Sequence, residues 1–592
     1  MKYFSLLSVL LFLFALPVFA QEDVETKTPR EQIVQDLELS DAAANIGEDL
    51  PVATSNNVIL KPKAPKSASK TIQEMFDPIS PPERAKKTSP KTPKTIDAIQ
   101  EVATKPKLKL KKTKSVAAKI APFYLSAEEY LSLRGDGNSQ QTVLRYKVES
   151  GAVTGSGLGA SQEIALVLGA DFVAMNVGKN TTIYDFKLNR ILSLKPEYGM
   201  DGKLTGKTFF ENTSLYAKAY RDITTVRSTT QNGRLKKLDM GKGVSLDAFW
   251  IESAMSWATD TSDADLMIEK PNQSLIIKRN GETVFSAEFA DEAYDNHASK
   301  NALLTFAHVK WPLHPSVLRE LYTYASPPKR FEMLSYGPTA PKGQKQVWTL
   351  VNQIVETAAF PLPGNAISVA QMPKVTPLVF LIGEAVNNRA LGGIKSVKQM
   401  ASDFDGKLDA EQYWRAWIIG QQYIAYSGKC KNPNDPTICK ATAQIEATYK
   451  DDMPKRVQDY MTALNAAGRP GLKAEAIETL GPYLDKKETP AFVIRTAAMA
   501  RAKMKKTQAE TAGVTDLNAE ILLQTALAKD PYDPNTYVGL AQVLAAKGAF
   551  EQSWDIYDAL RAGIPTADSI DLKINRLEKN LRKTAPGYFL GE

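Results

Sequence analysis

From Ala121 onward the order of hydrophobic and polar positions changes character twice. Ser126-Ala127-Glu128-Glu129 sets a capping serine three residues ahead of an acid, and Leu125 and Tyr130 stand where a hydrophobic staple closes, so a short helix starts there. From Thr142 short runs rich in β-branched and aromatic residues follow one another: Val143 to Val148, Glu163 to Met175, Thr181 to Phe186, Arg190 to Leu194, Asp265 to Glu269, Ser274 to Lys278 and Glu282 to Phe289. Several alternate, and Asn280-Gly281 between the last two is the pair that a tight hairpin needs. Helical spacing interrupts them at Phe209 to Tyr220, Leu246 to Trp257 and Pro315 to Tyr324, after which Arg330 to Tyr336 and Gln346 to Val351 read again as strands. The pattern predicts an antiparallel, strand-rich α+β domain over 121–358, with short amphipathic helices covering one face of its sheet.

After Phe360-Pro361-Leu362-Pro363-Gly364 the strands fade. Apolar residues recur at three and four: Leu378, Leu381, Ile382 and Ala385; Tyr413, Trp414, Trp417, Ile418, Ile424 and Ala425; Val457, Tyr460, Met461 and Leu464. Stripes this wide predict an α-α stack over 373–592. Within it, Tyr537-x2-Leu540-Ala541-x2-Leu544, then Ser553-x3-Tyr557, Leu560 and Pro565, resembles the tetratricopeptide repeat (TPR). Ala519-x3-Leu523-x2-Ala526 and Pro531 resemble the second helix of a preceding repeat, and Pro531 and Pro565 stand one 34-residue period apart. Ser553 replaces the usual alanine and Leu544 the usual tyrosine, and the first helix of that preceding pair, Ala491 to Lys505, is set off by a loop near Thr507 to Thr515. The resemblance implies that the first helix of a pair, Pro534 to Lys547, lines a concave surface on which Asn535, Val538, Gln542 and Ala545 contact a protein partner. These four lack the lysine and asparagine set with which some family members clamp a terminal carboxylate, so an internal segment or a folded domain is the expected partner.

Charge and composition add a third region. The chain has 592 residues and a net charge of +8, but residues 21–60 carry nine acids against Lys27 and Arg30, while 61–120 carry fifteen lysines and Arg84 against five acids. Proline interleaves with like charge in Lys61-Pro62-Lys63, Lys91-Thr92-Pro93-Lys94 and Lys105-Pro106-Lys107. Such a segment buries too little surface to offset backbone entropy, so 21–120 is expected to be a disordered Lys/Pro-rich tail. Its basic part, Lys105 to Lys119 above all, is expected to contact anionic lipid or an acidic polymer, or to act as a plain spacer. Ahead of it, Lys2, the apolar run Leu6 to Leu16, and Val18 and Ala20 before Gln21 have the form of a cleaved signal peptide over 1–20. No cysteine lies near that site, so no lipid anchor is expected, and no further apolar run approaches the length of a spanning helix. The expected location is periplasmic or secreted, where nucleic acid is not the partner, and Cys430 and Cys439 are the two cysteines available for a disulfide.

Candidate chemistry is sparse. Gly155-Ser156-Gly157-Leu158-Gly159 lacks the Gly-Lys-Ser/Thr of a phosphate loop, and Asp260, Asp263 and Asp265 lack the glycine and distal glutamate of a calcium loop. His297, His308 and His314 match no metal-site or nucleophile-base pattern, so no catalytic residue, metal site or cofactor is assigned. The order of strands, covering helices and further strands is similar to the open half-barrel of envelope lipid and lipoprotein carriers, which implies a hydrophobic ligand cavity as an alternative. The sequence leaves enzymatic activity undecided, a hydrolase of wall or surface polymers being the second alternative, since carboxylate pairs meet in space and not along the chain. The leading expectation is a non-enzymatic exported scaffold that docks a protein in the cell envelope.

Overall fold

The structure is a computed structural model, and it describes residues 122–590 apart from 136, 154–157, 200–202, 229, 232–233, 236–237, 240–244, 247, 256–265, 295–296, 338–339, 373–377, 380–381, 384–396, 428–436, 470 and 564–567. Residues 1–20 and 21–120, read above as a signal peptide and a tail, most of the Gly155–Gly159 motif, the Asp260–Asp265 motif, Cys430, Pro565 and part of the Leu378–Ala385 stripe lie outside the described residues.

Among the described residues twelve strands form one sheet that is antiparallel except at one edge. They are β1 (Ser139–Ala152), β2 (Ala160–Leu168), β3 (Phe172–Val177), β4 (Asn180–Asp185), β5 (Arg190–Tyr198), β6 (Leu204–Ser214), β7 (Leu266–Glu269), β8 (Ser274–Arg279), β9 (Glu282–Phe289), β10 (Pro328–Gly337), β11 (Ala340–Ala358) and β12 (Ile367–Ser368). The spatial order is β7-β8-β9-β10-β11-β1-β2-β3-β4-β5-β6-β12, with the last pair parallel. The chain thus walks outward from β1 to β6, crosses over, and walks back from β7 until β11 pairs with β1 along its whole length. Asn280 and Gly281 both take positive φ, 52° and 81°, as the predicted β8–β9 hairpin requires.

Alternation sorts the side chains between two apolar layers. Leu144, Tyr146, Leu166, Val173 and Met175 point to one face, Val143, Val167, Ala174, Ile183 and Leu192 to the other. On the second face lies α1 (Ala127–Arg134), which has the predicted capping box at Ser126 and Glu129 and ends at Gly135 with φ 71°. A buried clamp holds it there: Arg134 pairs with Asp185 and Asp171, its guanidinium 4.2 Å from the Phe360 ring, and the Tyr130 hydroxyl donates to Asp185 at 2.7 Å. Burial holds the Asp185 carboxyl above the ordinary carboxylate range against the pull of Arg134.

The first face is filled by helices: α2 (Leu215–Ser228), α3 (Ala248–Met255), α4 (His297–Lys310) and α5 (Pro315–Leu321). α4 was not legible as a helix. Ser299 and every residue from Ala302 to Val309 are buried, so over its last two turns it shows no polar face and no stripe. Two other readings are corrected. Glu163 to Met175 is two strands parted by a turn at 169–171, and Phe209 to Tyr220 is the end of β6 running directly into α2 without turn residues between them. His314 is buried, caps α5 by accepting from Ser316 N and pairs with Glu252 of α3 at 3.0 Å, while His308 is buried near the end of α4.

Beyond the sheet the described chain is helical: α6 (Val397–Asp409), α7 (Tyr413–Ser427), α8 (Thr437–Tyr449), α9 (Lys455–Ala467), α10 (Lys473–Leu480), α11 (Ala491–Ala502), α12 (Lys506–Thr511), α13 (Ala519–Lys529), α14 (Pro534–Ala546), α15 (Phe550–Gly563) and α16 (Asp568–Thr584). α12 sits inside the stretch read as a loop from Thr507 to Thr515. No helix among the described residues is long and apolar enough to cross a membrane.

Candidate functional site: the helical array and its seat on the sheet

Small residues at helix crossings let backbones approach, and the array uses them where the sequence pattern places them. Tyr537, Leu540, Ala541, Leu544, Leu523, Ala526 and Leu560 are all buried. Gly539 meets Met499 of α11 and Leu523 of α13, and a Cβ there would come within 2.6 Å of the Met499 sulfur. Ser553 is fully buried, and its hydroxyl donates to the Ala541 carbonyl at 2.8 Å. The serine that departs from the repeat pattern therefore links α15 to α14 instead of leaving an orphaned polar group. Tyr537 likewise donates to Pro531 O at 2.7 Å.

The four predicted contact residues share α14 but not one environment. Asn535 is exposed, yet its side-chain amide donates to Ala425 O of α7 at 3.0 Å. Val538 and Ala545 are half-buried, Val538 against the core of the array and Ala545 against the core of the sheet. Gln542, between them, is half-buried. α7 thus lies across the start of this face, and it is fixed there by Trp417 against Phe492 of α11, with ring centroids 6.0 Å apart, and by the Tyr426 hydroxyl on Asp530. Cys439 is buried on α8.

At its other end the array is seated on the sheet through α15, α16 and the C-terminal residues. Phe550, Trp554, Leu581, Ala585, Tyr588 and Phe589 belong to the same apolar cluster as the sheet and α4. Trp554 is 1% exposed, its ring 5.5 Å from that of Tyr220 on α2. Beside this apolar contact runs a row of charges that sequence reasoning missed. Arg190 of β5, 3% exposed, gives Nη1 to Asp558 at 2.6 Å, Nε to Asn212 Oδ1 at 2.6 Å and Nη2 to Asn212 O at 3.1 Å, with Asp555 at 3.9 Å. Asn212 Nδ2 in turn donates to Pro122 O at 2.6 Å, which pins the first described residue to the sheet. On α2, Arg221 pairs with Glu551 at 2.5 Å, and Asp222 accepts from Lys218 and from the Tyr588 hydroxyl, each at 2.7 Å.

Asp555 Oδ1 is enclosed and has no hydrogen-bond partner among the described residues. Burial raises this carboxyl well above the ordinary carboxylate range; Arg190 opposes the shift, and Asp558, Glu211 and Glu551 add to it. A carboxyl that holds its proton more tightly when folded contributes stability that is whole below its unfolded value, about 4, and is lost as pH rises through the folded value. Asp555→Asn removes the charge and keeps the shape. Its melting temperature relative to wild type should climb as pH rises from about 4 and level off above the folded value. Parallel melting curves across that range at fixed ionic strength would show that Asp555 is ionised in the fold.

No protein-family model matches the chain, and no curated protein matches it.

Proposed function

We propose that this chain is an exported, non-catalytic protein of the cell envelope whose helical array, of the tetratricopeptide kind, holds a protein partner while the sheet serves as its mount. The observation that carries this reading is the order of helix contacts. The first helices of successive pairs, α9, α11 and α14, lie side by side; each packs on its own second helix, α10, α13 or α15; and each of the second helices α10 and α13 packs on the first helix of the next pair. That connectivity belongs to stacked helix hairpins, which expose an extended face and need no chemistry to work. The apolar h-region before Gln21 supports export, and the lysine-rich segment before residue 121 suits a tether or an anionic contact. A disulfide between Cys430 and Cys439 would close a short loop at the start of α8.

The alternative of a carrier with its ligand inside the sheet is less well supported, because α4 and Trp311 pack in one apolar core with the first face of the sheet. A photo-crosslinking amino acid at Gln542 in the full-length chain tests the docking reading. One discrete protein adduct should form in the native envelope, and none with the same group at the exposed Glu510 of α12. Equal adducts at both positions, or none at either, would refute it; a lipid that co-purifies in native mass spectra would favour the carrier.

A further inference from the structure

The sheet is stepped between β10 and β11. β10 pairs with β11 only as far as Arg330 opposite Thr349, whereas β1 stays paired with β11 to its end at Ala358. The chain ahead of β10 arrives from the β9 side, where Pro327 O accepts from Ala290 N, so it does not run beside the rest of β11. β11 therefore overhangs β10 by nine residues, Leu350 to Ala358, whose outward main-chain groups have no strand partner among the described residues. The overhang is apolar and faces solvent: Val351 is 64% exposed, Ile354 39% and Val355 41%, with Asn352, Glu356 and Thr357 exposed around them. Ile354 lies on the face of Val143 and Val355 on the face of Thr142, so the edge is open on both sides of the sheet. Edge strands are ordinarily guarded by lysine, proline or several charges; here Glu356 is the one charge and there is no proline.

We propose that a second copy of this chain pairs with the overhang, β11 against β11 about a two-fold axis. The overhang and the step it leaves have the same length, so two copies fill each other's step and the contact closes on itself. Beyond Ala358 the strand ends and Phe360 turns into the second apolar layer against Tyr130 and Phe172, which clears the line that the other copy's β10 takes. Antiparallel pairing centred on Ile354 sets Ile354 on its counterpart and Asn352 opposite Glu356 on one face, with Gln353 opposite Val355 on the other. The single charge thus meets an amide donor and never its like. The lysine-rich N-terminal segment is a poorer match, since one carboxylate does not balance it, and Pro122 is fixed to β6, six strands away from β11. A two-fold axis of this kind runs through the sheet from face to face, so both helical arrays would lie on one side of the joined sheet and present two docking faces together.

Sedimentation velocity of the full-length chain across the micromolar range should show monomer and dimer in exchange, and the amides of 350–358 should gain protection from hydrogen exchange as the dimer forms. Asn352→Glu sets a second carboxylate opposite Glu356 and should weaken the dimer about fivefold at low salt. Asn352→Lys sets an ammonium there and should tighten it about fivefold, and neither change should move the melting temperature of the monomer. Met267→Lys, on the exposed edge strand β7, should leave the dimer unchanged. A monomer at every concentration would overturn the proposal. So would a dimer that the two Asn352 variants shift in the same direction or not at all. Protection of 350–358 in a monomer would assign the edge to the chain's own N-terminal segment and overturn it as well.

Discussion

Trp554→Ala should destabilise the protein by about 3–5 kcal/mol, the range for truncating a buried tryptophan where the surroundings relax only partly. The indole is almost completely enclosed, between Tyr220 of α2 and Tyr557 of its own helix, with ring centroids 5.5 and 5.6 Å away. It belongs to the cluster that joins the sheet, α4 and the last helices, so the cavity would open at the seat of the array and not inside it. A loss of this size is a large part of the roughly 5–15 kcal/mol that holds a typical domain. Urea unfolding checks it, and amide exchange should rise at α15, α16 and 585–590 before it rises in α7–α9. A change below about 1 kcal/mol would mean that the seat does not depend on this contact.

Arg190→Met should cost about as much for a different reason. Removing one member of a buried ion pair leaves its partner charged and desolvated, at a typical cost of about 3–5 kcal/mol. Here the guanidinium engages Asp558 and Asn212 through three nitrogens and opposes the raised proton affinity of Asp555. Without it, Asp555 would hold its proton to still higher pH. The folded variant then binds more protons than wild type, so its deficit should be largest near neutrality and shrink toward acid pH. Arg190→Lys should not restore the contact, since one ammonium cannot replace a planar fork that bonds to a carboxylate, an amide oxygen and a carbonyl. A deficit of the same size at every pH would mean that lost packing, and not the charge left behind, sets the cost.

The two substitutions act on the same seat, and both residues lie in elements that the sequence predicts, but their partners across the seat are not legible there. Trp554 lies in a helical stretch between Ser553 and Tyr557 of the repeat-like pattern, and its burial against Tyr220 comes from the structure. Arg190 opens a predicted strand, and nothing around it in the chain indicates that Asp558, 368 residues later, is its partner.

Local interactions account for what the sequence by itself determined. The capping box at Ser126, the Asn280-Gly281 hairpin, the alternating strands and the small and aromatic positions of Tyr537, Ala541, Leu560 and their neighbours are all enforced over a few residues. Backbone sterics, capping hydrogen bonds and the 3.6 and 2.0 periods act at that range, and they leave a readable trace. What only the tertiary structure decided lies where that trace vanishes or where partners are distant. From Ala302 to Val309 α4 is buried on every side, so no polar face marks its period there. The end of β6 passes into α2 at Ser214–Leu215 without a turn residue, and the boundary is set by pairing with β5 and packing on the sheet. Asn535 lay on the face read as free for a partner, and its amide donates to Ala425, 110 residues earlier in the chain. Arg190 is held at the junction by partners on β6 and α15. Burial and charge pairing depend on which surfaces meet in space, and the pattern along the chain encodes the surfaces without naming their neighbours.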